Sequence, residues 1–241
     1  MFEKIFNNYA SNFDFLNRDI LLKYNHSYRV RNLSIKYAIL LNYSEEDIRL
    51  AEFIGLYHDI GRFSQIRDYN TFDDSKSIDH AEEGIKILFD NGLIDNFNFT
   101  DEEKEIIKFA IRNHNKFSIE NVTNERMLMH AKLIRDCDKL DIVYLFGHLN
   151  EMSLKLIDQP LDDELKKPFY EQKVVKHNGL TNHIVVSYFA YVYDINNDII
   201  LNEFKFYLAS LYKRLNNENV LKEIYELANN YLESRLKNVR N

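Results

Sequence analysis

Six residues in this chain are of the types that hold divalent metals: His26, the adjacent pair His58-Asp59, His80, His114 and Asp138. Neutral imidazoles supply nitrogen lone pairs and carboxylates can bridge two ions, a donor set suited to Fe, Mn, Co, Ni or Zn. Spacing adds to type. If His26 lies on a helix, Val30, Leu33 and Tyr37 share its face. His58 follows Ala51 and Ile54 by helical steps, His114 follows Ile107 and Ala110, and Asp138 stands between Ile134 and Ile142. Four ionisable side chains thus point with apolar stripes. Burying such groups without compensation costs several kcal/mol each, on the order of the usual desolvation penalty. A single inward His is ordinarily a core residue satisfied by hydrogen bonds. Its repetition on separate helices, with Asp59 beside His58 and His80 in a first helical turn, suits a metal centre better.

The elements that must position these residues are helices. Only 2 Pro and 6 Gly interrupt the chain, and apolar spacing is helical nearly throughout, so the expected fold is all-α. Ser44-Glu45-Glu46-Asp47, Asp79-His80-Ala81-Glu82 and Thr100-Asp101-Glu102-Glu103 carry start signals that place helices from about 45, 80 and 101. Asn91-Gly92 closes the helix that opens at 80. The polar stretch 62–78 reads as a long surface loop, and Pro160 and Pro168 as brackets of a break. Residues 182–195 fit a helical face or a strand, and 198–236 two helices. The expected organisation is a metal-binding helical core over 1–150 with a C-terminal helical extension over 151–241 packing on it.

At Leu56-Tyr57-His58-Asp59-Ile60-Gly61-Arg62 the sequence resembles the HD superfamily, named for its His-Asp doublet. His26 and Asp138 match the outer His and Asp of that pattern. The wider text, including Ser77-Ile78-Asp79-His80-Ala81, His114-Asn115-Lys116 and Arg135-Asp136-Cys137-Asp138-Lys139-Leu140-Asp141, is similar to a bacterial group of HD-domain proteins described as phosphohydrolases. The resemblance spans about residues 20–145 and implies an HD-type helical bundle. Members with two extra His between doublet and final Asp are binuclear, which implies Asp59 between two ions and His80 and His114 on the second. The Gly-Tyr-Pro segment of the cyclic-dinucleotide phosphodiesterase branch is absent, which disfavours cyclic di-GMP.

The chemistry so implied is metal-dependent hydrolysis of a phosphomonoester or phosphodiester in a small molecule, a nucleotide among the candidates. Paired ions activate a water for in-line attack and polarise the phosphoryl oxygens. Asp59 and Arg62 carry the expected catalytic roles, and Arg62 also offers a planar fork to phosphate oxygens. The competing role for Arg62 is an ion pair with an acid of the 62–78 stretch. Lys116 and Lys139 are further candidates for substrate binding, against a solvated-face role. Asp79, Asp136 and Asp141 are candidates to orient ligating imidazoles, or to cap helices. His130, His148, His177 and His183 read as structural, the last two flanking the Asn178-Gly179 turn signal. Two rival functions use the same ligands: a di-iron oxygenase of HD type, and a metal-stabilised regulatory module without turnover.

Composition narrows the partners. A formal net charge of −7 supplies no basic surface for duplex nucleic acid. No apolar run approaches the roughly 20 residues that span a bilayer, and no basic-then-apolar leader opens the sequence, so a cytoplasmic protein without membrane partners is expected. The single Cys137 excludes both an internal disulfide and a thiolate metal site.

Overall fold

The computed structural model describes residues 1–149, 161–176, 181–216 and 218–239. Among them there is no strand, and the all-α expectation holds. Residues 1–138 and 139–241 form two compact units whose division falls inside a helix, at Asp138/Lys139, whereas the sequence reading divides the chain at 150. His177, Asn178, Gly179 and Pro160 lie outside the described residues.

The first unit opens with α1 (Phe2–Ala10), followed by α2 (Arg18–Leu40) and α3 (Glu45–Tyr57). Phe2 and Phe6 of α1 are buried in an aromatic cluster with Phe53, Tyr57, Phe97 and Phe99, and the Tyr57 hydroxyl donates to the Phe2 carbonyl at 3.0 Å. Helices α2 and α3 pack closely because Gly55 lets them. A Cβ at Gly55 would stand 2.7 Å from Ser34 Oγ and 2.9 Å from Arg31 Cα. This contact brings His26 of α2 near His58 at the end of α3.

Helix α4 (Gly61–Tyr69) corrects the expected loop over 62–78. The stretch is polar, but Ser64 and Gln65 point inward with Phe63 and Ile66. Gln65 Nε2 donates to Asp74 Oδ1 at 2.8 Å, Ser77 Oγ at 2.8 Å and the Ile78 carbonyl at 3.0 Å. Satisfied buried amides look like surface residues in a pattern reading, and that is why the helix was hidden. Asn70, with φ 51°, ends α4 in the left-handed region, so the irregular connection is confined to 70–79.

Helix α5 (His80–Ile85) begins where the Asp79 side chain accepts from the Ala81 and Glu82 amides, and runs on as a π turn, Lys86–Asp90. It stops before Gly92, whose φ of 74° suits glycine. Helix α6 (Asp101–Asn113) opens with a full capping box between Thr100 and Glu103. Helix α7 (Glu125–His148) carries Asp138. The starts at 45, 80 and 101 are those expected.

In the second unit, α8 (Asp163–Tyr170) contains Pro168, which therefore marks no break there. Buried Leu165 and Phe169 on its inner face outweigh the backbone hydrogen bond that proline forgoes. The ambiguous stretch at 182–195 is helical: α9 (Thr181–Ala190) leads into a 3-10 turn, Tyr191–Asp194. Helices α10 (Leu201–Leu215) and α11 (Glu218–Val239) complete the unit through Phe204, Leu208, Leu211, Leu221, Ile224 and Leu232, all buried. No helix among the described residues is long and apolar enough to cross a membrane.

Candidate metal centre

The six residues singled out by type and spacing converge in the first unit. His26 Nε2 stands 3.3 Å from His58 Nε2 and 3.1 Å from Asp138 Oδ1. His80 Nε2 stands 3.0 Å from His114 Nε2. Asp59 lies between the two pairs and turns one oxygen to each. Its Oδ2 is 3.5 Å from His26 and 3.6 Å from His58, and its Oδ1 is 3.3 Å from His80 and 3.5 Å from His114. All four imidazoles and Asp59 are buried.

Close backbone approach makes the convergence possible. A Cβ at Gly61 would stand 2.1 Å from the His80 carbonyl oxygen and 2.7 Å from the Gly84 nitrogen. Only glycine lets the first turn of α4 meet the first turn of α5, which carries His80 to Asp59. His114 is the residue that terminates α6, and buried Arg135 of α7 holds that terminus. The Arg135 guanidinium donates to the carbonyls of Asn113 at 2.7 Å, Lys116 at 2.6 Å, His114 at 3.4 Å and Phe117 at 3.4 Å.

The second ring nitrogens settle which lone pairs face inward. His58 Nδ1 lies 2.9 Å from the Gly55 carbonyl, His114 Nδ1 2.6 Å from the Ile111 carbonyl, and His80 Nδ1 2.7 Å from Asp74 Oδ2. These oxygens only accept, so each of the three Nδ1 atoms carries the proton and donates it. With both rings in the neutral form that metal ligation requires, His80 Nε2 and His114 Nε2, 3.0 Å apart beside Asp59 Oδ1, would meet with lone pair facing lone pair. Such a meeting is repulsive unless a cation is shared. The groups His26-His58-Asp59 and Asp59-His80-His114 each bring ligand atoms within 4.8 Å of one another. The donor set fits divalent metal, with a carboxylate or carbonyl bracing the imidazoles from behind.

The carboxylates of the cluster are held ionised by their surroundings. Burial pushes the Asp59 carboxyl upward, but the Lys23 ammonium, then His58 and the contacts from His114 and His80, hold it well below the usual carboxylate range. Burial likewise opposes ionisation of Asp138, and contacts from His26 and His58 reverse this and keep it low. His114 is pushed down to about 4 by burial first of all, so it is neutral and able to act as a lone-pair donor.

Other expected residues are placed differently. Arg62 has its Nε 3.7 Å from Asp59 Oδ1, yet its Nη1 donates to Asp74 at 2.9 Å, Gln65 at 2.6 Å and the Phe72 carbonyl at 2.8 Å. The ion pair with an acid of the 62–78 stretch is therefore present, and the guanidinium also stands beside the cluster. Lys116 pairs with Glu120 on the surface, and its carbonyl, not its ammonium, contributes to the site's support. Lys139 belongs to the second unit, where its ammonium is 2.8 Å from Asp194. Asp79 caps α5 and accepts from Asn115 at 2.9 Å without touching an imidazole nitrogen. His130 sits 2.9 Å from Asp47, and His148 stacks on Tyr144.

Two residues at the cluster were not anticipated. Asp74 receives Arg62 and Gln65 on Oδ1 and His80 and Asn115 on Oδ2; burial works against its ionisation, but His80 and Arg62 keep it low. It was one acid among several in an apparent loop. Lys23 Nζ donates to Asp59 Oδ2 at 2.6 Å. The available signal was its position one turn before His26 on the same helix face.

Residues 24–142 match the family model of the HD domain. These residues therefore form an HD domain, a domain type of metal-dependent hydrolases. The matched span contains all six converging residues. No curated protein and no solved structure matches the chain.

Proposed function

We propose that this protein is a metal-dependent phosphohydrolase that cleaves a phosphoester in a small molecule, with nucleotides among the first substrates to try. The observation that carries the reading is the convergence of four imidazole Nε2 atoms on the two oxygens of one buried carboxylate. In this reading His26, His58, Asp138 and Asp59 Oδ2 hold one ion, and His80, His114 and Asp59 Oδ1 hold a second. Bound ions of this kind supply Lewis acidity, lowering the pKa of water toward neutrality and polarising phosphoryl oxygens. The chain's own residues do the rest. Asp59 keeps both halves in register, Asp74 fixes His80 as a lone-pair donor, and Arg62 presents a guanidinium to the phosphoryl group. Fe, Mn, Co, Ni and Zn all suit the donors.

The test is metal analysis of protein purified without chelators, followed by assay against phosphomonoesters, phosphodiesters and nucleotides with and without oxygen. The expected result is close to two transition-metal ions per chain and phosphate or alcohol release that is indifferent to oxygen. A protein without bound metal, or product formed only in the presence of oxygen, would overturn the proposal. Metal binding without turnover of any phosphoester would favour a regulatory module.

A further inference from the structure

Exposure differs around the cluster, and Asp138, at 14%, is open to about the same degree as the two cations that flank Asp59. His58 and Asp59 side chains are 0% and 3% exposed, whereas Lys23 and Arg62 are each 13% exposed. These two cations flank the same carboxylate from opposite ends, Lys23 on Oδ2 at 2.6 Å and Arg62 on Oδ1 at 3.7 Å. Half-buried Phe72 lies beside both, with its ring centre 5.6 Å from Lys23 Nζ and 5.8 Å from Arg62 Cζ. The ring orients the cations without neutralising them.

Both cations have donors in reserve. An ammonium has three N–H bonds, and among the described residues Lys23 donates one hydrogen bond, to Asp59. Arg62 Nε is buried and donates to nothing, although it faces Asp59. Buried N–H groups are rarely left unmatched. In addition, Asp59 is the carboxylate that both half-sites must share for metal. Its charge cannot serve two divalent ions and two side-chain cations equally, so Lys23 lacks a full counter-charge when the site is in use, while Arg62 keeps Asp74 and has its Nε to offer.

We propose that Lys23 is a second phosphoryl-binding cation, working opposite Arg62, and that the pair selects a dianionic terminal phosphoryl group over a phosphodiester. The inference rests on the phosphohydrolase reading for its substrate but on geometry for its binding site. A terminal phosphoryl group offers three peripheral oxygens and two negative charges, enough for a cation on either side. A diester carries one charge, and its second ester group occupies the oxygen that Lys23 would grip.

The experiment compares the metal-loaded wild type with Lys23→Met and Lys23→Arg. Three readouts are needed: bound metal per chain, affinity for inorganic phosphate by calorimetry, and kcat/KM for 4-nitrophenyl phosphate against bis(4-nitrophenyl) phosphate. Lys23→Met is expected to keep its metal, lose phosphate affinity and monoester kcat/KM by about 10- to 100-fold, and lose less than about 3-fold on the diester. Lys23→Arg should recover most of the phosphate affinity. Loss of metal in Lys23→Met would show that the lysine serves Asp59 alone and would overturn the inference. So would equal losses on both esters, or undiminished phosphate binding. If wild type cleaves neither ester while Lys23→Met still loses phosphate affinity, the hydrolase reading fails and the anion site stands.

Discussion

The two halves of the metal centre use the same kind of ligand on different kinds of support. His26 lies mid-helix in α2 and His58 at the end of α3, two helices pressed together at Gly55, with Asp138 inside the long helix α7. His80 and His114 instead sit at helix ends, one in the first position of α5 and the other at the terminus of α6. The first half is built by helix packing, which many buried side chains over-determine. The second is held by a few discrete polar contacts: Asp74 behind His80, and Arg135 over the end of α6. Packed helices resist single substitutions better than a hydrogen-bonded terminus does. The second half should therefore fail first.

Asp59→Ala should break both halves at once. It removes the carboxylate that, alone among the described residues, faces both His pairs, and activity is expected to fall by at least about 1000-fold with loss of both ions. Metal content and turnover check this together; full activity without metal would contradict the shared-carboxylate reading.

Asp74→Asn separates the halves. The amide still fills the space but no longer anchors the His80 Nδ1 proton through a charge, so affinity for one of the two ions should drop by about 10- to 100-fold while the other is retained. Titration of metal into apo-protein, read as one tight and one weakened site, is the measurement. Two equally weakened sites would mean that the halves are not independently supported.

Arg135→Met tests the other contact under the second half. Four backbone carbonyls lose their donor, and a stability loss of about 2–4 kcal/mol is expected in denaturant unfolding, again with one ion lost before the other. Arg135→Lys, which keeps the charge but not the fork, should fall between variant and wild type.

The smallest effect concerns a polar pair outside both halves and calibrates them. Burial pushes His130 below its usual pKa, and Asp47, despite burial, is held low by His130, Arg126 and Ser44. The folded state thus binds fewer protons than the unfolded chain in acid. For His130, stability is fully present above the unfolded value of about 6.5 and declines as pH falls below it. Asp47 contributes a further decline nearer the carboxylate range. His130→Phe should flatten the first part of this decline in thermal unfolding, and a decline unchanged in that variant would assign it elsewhere.

Much of the site was legible because its residues carry unusual signals. Histidines on apolar stripes are conspicuous, and the caps at Ser44, Asp79 and Thr100 mark helix starts through side-chain chemistry that acts within a few residues. Helix α4 was not legible, because Ser64 and Gln65 are satisfied by partners up to nineteen positions away. Lys23 and Asp74 were hidden for a related reason. A lysine before a histidine, or one aspartate among several, gains its meaning only from the residue it meets across the fold.

The helical class and the donor set are therefore readable along the chain, since periodicity, capping and residue type are local properties. Tertiary structure decided which His pairs face each other, which oxygen of Asp59 serves each pair, and which cations stand beside it. Those choices depend on backbone approach at Gly55 and Gly61 and on hydrogen bonds between distant segments, and distance in space is what a pattern along the chain does not encode.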